Sequence, residues 1–301
     1  MASKIPPLLE SYLSLPPETS LIVLTSILGA STNWLVLRYL HSYLSPSSTA
    51  AGGTSRRQLS VDSGADAESG GEDEVCVLLV SFMRDFAFWR DGASRLGVDL
   101  EALTRRGRFS FVDGLSSLYL PPPASANVRP APGKERLTSP RIADVSRALH
   151  SAVDKLLATS SQAAGEGAGK ARKVVLVVDQ LDFLLASTAE EEAGTALGDM
   201  LLDIREKVHA TILTLAADDP LVAAQTTALE RRHAAFVLEL AHEAEVVLSL
   251  RLLDTGAARD VSGVVRITRG GGDPGGREIE EREYLYHVGG DGGVKVFERG
   301  Q

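Results

Sequence analysis

Apolar residues along this chain fall into two alternating patterns. Leu21–Ser26 (L-I-V-L-T-S), Val75–Ser81, Phe109–Asp113, Val174–Asp179, Ala210–Ala216 and Glu245–Leu252 are short, nearly unbroken apolar runs. Such runs suit strands covered on both faces of a parallel sheet. Asn33–Leu44, Phe82–Leu96, Ile142–Leu157, Leu197–Val208 and Leu221–Ala241 space their apolar residues by three and four, and predict helices, as does a short turn around Leu100 and Leu103. In Asn33–Leu44 the apolar side carries Trp34, Leu35, Leu37, Leu40 and Leu44, leaving Arg38 and His41 for a polar side. Val261–Thr268, Tyr284–Val288 and Val294–Phe297 alternate, and predict closing antiparallel strands around a Gly270–Gly276 loop. The order predicts an α/β fold: a mainly parallel sheet with helices on both faces and antiparallel strands at the C-terminus.

Two stretches interrupt the pattern. Residues 46–73 are rich in Ser, Gly, Ala and acid, and residues 121–140 carry six prolines; both are expected to be disordered insertions. Residues 160–169 read as a flexible Gly/Ala linker. Residues 1–20 form a lead-in with an apolar patch (Leu8, Leu9, Tyr12, Leu13, Leu15), suited to docking on the body or on a neighbour. Residues 21–301 are then expected to form a single domain.

Composition narrows the function. With 44% hydrophobic residues in 301, a sizeable core is available. The net charge of -9 argues against a protein that grips nucleic acid unaided. The single cysteine, Cys76, lies inside an apolar run, cannot form an internal disulfide and favours a reducing compartment. Leu21–Leu37 lacks charge, but its Ser, Thr, Asn33 and Gly-Ala-Ser-Thr turn argue against a membrane span. No zinc spacing or Gly-x-Ser-x-Gly elbow is present, and the six histidines are scattered. The aromatic cluster Phe82, Phe86, Phe88, Trp89 suits a core or an interface better than a base-stacking platform.

Two stretches carry candidate chemistry. Strand, small-residue turn and helix over Leu21–Leu44 make the frame of a P-loop, G-x-x-x-x-G-K-[ST]. Laid over Leu24–Ser31, that spacing puts the second glycine on Gly29 and the hydroxyl on Ser31, but the first glycine on Leu24 and the lysine on Ala30. The cation for the β- and γ-phosphates and the hinge that turns amides toward them are both missing. The same residues also suit a strand–turn–helix that never bound nucleotide. Val174–Asp179 ends in aspartate, as a Walker B strand does where magnesium would sit. Gln180 follows where many nucleotidases place a glutamate, and it cannot act as a general base; Asp182 lies three residues beyond Asp179. Candidate RNA-facing cations are Arg105, Arg106 and Arg108, with Arg231 and Arg232 on a helix. A solvated helix face is the more ordinary role for Arg231 and Arg232.

On four stretches the chain resembles the sixth-subunit family of the Elongator complex, in a fungal-like form. They are Leu21–Leu40; Val77–Gly97, with S-F-M-R-D-F-A-F-W-R-D-G-A-S-R-L-G; Phe109–Tyr119, with F-V-D-G-L-S-S-L-Y; and Val174–Leu185, with V-V-L-V-V-D-Q-L-D-F-L-L. The resemblance implies a RecA-like fold without catalytic residues, cofactor or metal. It implies a six-membered ring with subunits four and five, docked on the catalytic Elongator subcomplex. That assembly binds tRNA and supports wobble-uridine modification, in the 5-methoxycarbonylmethyl and 5-carbamoylmethyl series. The location implied is cytoplasmic, with the nucleus open. Loops near Ser187–Thr195 and Asp218–Gln225, which would face a ring pore, are acidic or neutral and leave direct RNA contact by this subunit in question. Two other readings stay open. One is an active ATPase with a non-standard P-loop, in which Ser31, Thr32, Asp179 and Asp182 hold magnesium and a neighbour lends the lysine. The other is a membrane-anchored adaptor using Leu21–Leu44.

Overall fold

The computed structural model describes residues 4–45, 74–120, 133–163, 172–188, 193–253, 258–273, 275 and 278–299. The expected insertion at 46–73 and most of the one at 121–140 lie outside these residues. The lead-in forms a 3-10 turn, Pro7–Leu9, and α1, Glu10–Leu13. Leu9, Tyr12 and Leu13 are buried, and the Tyr12 hydroxyl donates to the Glu280 carbonyl at 2.7 Å. The apolar patch of the lead-in therefore docks on the body of its own chain.

From there the chain runs through β1 (Ser20–Ser26), α2 (Asn33–Leu44), β2 (Glu74–Ser81), α3 (Phe86–Arg95), α4 (Leu100–Arg105), β3 (Phe109–Asp113), α5 (Ser116–Tyr119) and β4 (Lys134–Arg136). It continues with α6 (Ile142–Ala163), β5 (Arg172–Asp179), α7 (Phe183–Ser187), α8 (Ala193–Arg205), β6 (Ala210–Ala216), α9 (Ala228–Glu243) and β7–β10 (Val246–Arg251, Gly263–Arg269, Arg282–Val288, Val294–Phe297). Among the described residues all ten strands join one sheet in the order β10-β9-β8-β7-β1-β6-β5-β2-β3-β4. Strands from β7 to β4 are parallel, and β8, β9 and β10 close the other edge antiparallel. One face packs on α1–α4, the other on α6, α8 and α9, and each interface is an apolar core. Burial on both faces is why β1, β2, β5 and β6 read as unbroken apolar runs. The α/β expectation, with its antiparallel C-terminal strands, is met.

The differences have local causes. The helix expected from Phe82 starts at Phe86, because the Asp85 carboxylate accepts from Phe88 N at 2.9 Å and caps the helix there. The helix expected over Leu221–Ala241 breaks. Pro220–Ala224 makes a π-helical turn, Gln225 takes a left-handed φ of 49°, and a Thr227–Glu230 capping box starts α9 afresh. Within the stretch expected to be a disordered insertion, Lys134–Arg136 pairs with β3 as a three-residue edge strand. It is too short and too charged to carry a periodic signal. Helix α6 runs to Ala163, into the expected linker. Arg38 and His41 are not on a solvated side of α2: they are 2% and 8% exposed. Among the described residues no helix is long and apolar enough to cross a membrane, and Leu21–Leu44 is divided between a strand and a helix.

Candidate functional site

The carboxyl edge of the parallel strands gathers the P-loop and Walker B positions singled out by sequence. β1 ends at Ser26, α2 begins at Asn33, and the bend between them carries Gly29 at φ 92°. That left-handed backbone is open to glycine at no steric cost. Ala30, at the lysine position, is 1% exposed. Leu24, at the position of the first glycine, is inside the strand and buried. Most amides of the bend already have acceptors within the fold. Ile27 N donates to Leu250 O at 3.3 Å, Ala30 N to Ile27 O at 2.9 Å, and Asn33 N to Ser31 Oγ at 3.2 Å. Leu28 N donates to the Asp218 carboxylate at 2.7 Å. A phosphate cradle needs successive amides aimed at one concavity. Here these four turn onto the protein, one of them onto a negative charge.

Asp179 lies two strands from β1, with β6 between. Register places Leu24, Thr214, Asp179, Ser81 and Asp113 in one row across the sheet. Row neighbours point to the same face, so Asp179 is held from both sides: Ser81 Oγ donates to Oδ2 at 2.7 Å and Thr214 Oγ1 to Oδ1 at 3.1 Å. It is 1% exposed, and burial pushes its pKa up against those two hydrogen bonds. Gln180 has φ 59° and donates its amide to Thr214 Oγ1 at 2.9 Å. Asp179 is legible as the charge closing an apolar run; Ser81 and Thr214 carry no signal of their own, because sheet register alone brings them to it.

Asp182 points into the fold. Its Oδ2 accepts from Ala216 N at 3.1 Å, and His233 Nδ1 lies 3.9 Å from it. His233 in turn bonds the Ala216 carbonyl through Nε2 at 2.8 Å. Burial is the largest cause pushing Asp182 up to about 6, with the Ala216 amide and His233 opposing it. Folded Asp182 thus keeps its proton to higher pH than the unfolded chain does. The stability this brings is complete below about pH 3.8 and is lost as pH rises through about 6. Asp182→Asn should therefore be more stable than the wild type at pH 8 by about 1–3 kcal/mol, with the gap closing near pH 4. Urea unfolding of both chains across pH measures this; a gap independent of pH would refute it. Among the described residues no group of three His, Cys, Asp or Glu is arranged to hold a metal.

The basic candidates are divided. Arg105 and Arg106 end α4 just before β3, at the amino edge of the sheet, and are exposed. Arg108 is turned inward: it donates to the Val75 and Tyr43 carbonyls and lies 3.5 Å from Glu74. Arg231 and Arg232 sit near the start of α9, which follows the carboxyl end of β6. Arg231 donates to the Thr226 carbonyl at 3.0 Å. The two groups lie at opposite edges and on opposite faces of the sheet and do not form one patch. In the two loops expected to face a ring pore, Asp218 accepts from Leu28 N, and 189–192 lie outside the described residues.

Fold and bend together define a RecA-like α/β protein. The chain is similar in fold to a KaiC-like protein from the hyperthermophilic archaeon Pyrococcus horikoshii OT3, with a TM-score of 0.56 at 16% identity over 98% of this chain and 97% of that one. The profile of the family Elongation complex protein 6 matches residues 72–290. The chain belongs to that family. It is 27% identical over 231 residues to Elongator complex protein 6 of Xenopus laevis, covering 74% of this chain and 80% of the relative.

Proposed function

We propose that this chain is a non-catalytic subunit of Elongator that builds a heterohexameric RecA-like ring with subunits four and five. The ring docks on the catalytic subcomplex and supports tRNA wobble-uridine modification by binding tRNA as an assembly. Family membership supports the place in the complex. The lack of catalysis rests chiefly on one observation: Asp218 holds the Leu28 amide at 2.7 Å, a carboxylate where a phosphate cradle needs a donor free of negative charge. Buried Ala30 in place of a lysine supports it further. A RecA-type core offers heterologous flanks, and such contacts close into rings when the rotation fits. With its basic side chains divided between opposite edges of the sheet, this subunit relies on its neighbours for most of the charge that meets tRNA.

Native mass of the chain mixed with subunits four and five is expected to give equal stoichiometry of the three. A monomer that ignores both would refute the ring role. Titration of the chain alone with ATP and magnesium is expected to show no binding at millimolar nucleotide; saturable binding would favour the ATPase reading instead.

A further inference from the structure

A cleft of about 380 Å³ lies between the β1–α2 bend at Gly29 and Ser31, α2, α3, β9 and the turn after it. Its apolar walls are Trp34, Leu37, Leu96 and Tyr286, and the Trp34 and Tyr286 rings stand 5.0 Å apart at 36°. Its charged lining residues are Arg38 and Arg95; no Asp or Glu is among them. Arg38 is 2% exposed, donates one Nη2 bond to the Gly292 carbonyl at 3.0 Å, and leaves its Nε–H without an acceptor. Among the described residues neither Arg38 nor Arg95 makes an ion pair. Asp291, in the same turn as Gly292, accepts from Gly293 N at 2.9 Å. Burial pulls the Arg38 pKa down, and His41 one turn on is held low by burial and then by Lys4 and Arg38. A buried guanidinium without a counter-charge is costly, and an arriving anion relieves that cost. Two cations over an apolar floor, in a chain of net charge -9, are a local inversion of sign.

We propose that this cleft binds a small organic oxyanion, with a carboxylate or phosphate-ester head on Arg38 and Arg95 and a flat apolar body against Trp34 and Tyr286. The guanidinium fork matches both heads. Pockets of this kind, mostly apolar with a few placed polar groups, are the usual form of small-molecule sites. The cleft borders the β1–α2 bend, whose Gly29 and Ser31 line one rim, but the anion head is placed deeper, on Arg38 and Arg95. Arg38 lies about 7.5 Å along α2 from Asn33, in the second turn, whereas helix-bound phosphates sit at the first. The proposal does not depend on ring assembly.

Only two tryptophans are present, and Trp89 is fully buried, so Trp34 fluorescence reports the cleft. Titration of the full chain with phenyl phosphate or benzoate is expected to give saturable quenching with a Kd below about 1 mM, absent from Trp34→Phe. Comparison of the two probes decides between a phosphate ester and a carboxylate head. Benzyl alcohol, neutral and of the same body, is expected to give no saturable change. Arg38→Met should weaken anion binding at least tenfold. Exposed Arg95→Met, which leaves the fold intact, should weaken it severalfold. Quenching by benzyl alcohol equal to that by the anions would overturn the proposal. So would no saturation by 20-fold that concentration, or unchanged affinity in both arginine variants.

Discussion

Gly270→Ala is expected to destabilise the fold by about 3 kcal/mol or more. Gly270 follows β8 and donates to the Glu245 carbonyl at 3.1 Å, binding the end of β8 to the start of β7. A Cβ there would lie 1.9 Å from Ala244 O, 2.7 Å from Ala244 C and 2.9 Å from Ala241 O. All three are backbone atoms, so no side-chain rotation relieves the clash. The end of α9 or the β7–β8 pair must move. Gly271 and Gly272 meet the His242 and Glu243 carbonyls in the same way, so a displaced chain has no room beside Gly270 either. With total stabilities of about 5–15 kcal/mol for a domain, the loss is a large share. The control is the same change at Gly198, inside α8, where a Cβ would meet nothing within 4 Å. Gly198→Ala should stabilise by about 0.5–1 kcal/mol through helix propensity. Denaturant unfolding of the two variants should move the midpoint in opposite directions; an unshifted Gly270→Ala midpoint would show that the three glycines are a turn and not a close approach.

Those glycines mark where reading the sequence stops. Their composition announces a loop, and nothing in it tells that α9 ends against them. The parallel strands are legible because a strand buried on both faces has no polar positions to spare, as in Val174–Asp179. The final strand, Val294–Phe297, was expected within the same bounds that the structure gives. Gly29 and Asp179 stand out for a related reason: a small-residue turn after one apolar run and a charge closing another are local signals. Their surroundings are not local. Thr214 and Ser81 reach Asp179 across sequence separations of 35 and 98 residues, through register alone. Helical spacing sorts residues against one partner, and so puts Arg38 and His41 on a polar side. The further cover over α2 includes the Gly289–Gly293 turn, whose Gly292 carbonyl accepts from Arg38 at a separation of 254 residues. Gln225 breaks a helix whose apolar spacing runs on past it, since spacing is blind to backbone conformation.

Within the aromatic cluster of α3, the expected effects separate core from surface. Trp89→Ala should cost about 3–5 kcal/mol. Trp89 is fully buried, packed edge-on against Phe88 with ring centroids 5.2 Å apart. Truncation leaves a cavity that the sheet beneath, already paired on both sides, closes poorly. Trp89→Phe should cost less than about 1 kcal/mol, because the indole N–H is buried without an acceptor and its removal offsets the lost volume. Phe88 is 38% exposed, with the Arg84 guanidinium 5.2 Å over its ring. Phe88→Ala should cost about 1 kcal/mol, from partial burial and a weak cation–π contact. Thermal and denaturant unfolding of the three variants test this order. Equal losses at Trp89→Ala and Phe88→Ala would mean that α3 is turned about its axis from the orientation seen here. The same rotation would carry Gly92 and Arg95 away from α2, so these unfolding measurements also bear on whether the cleft beside Arg38 is present in solution.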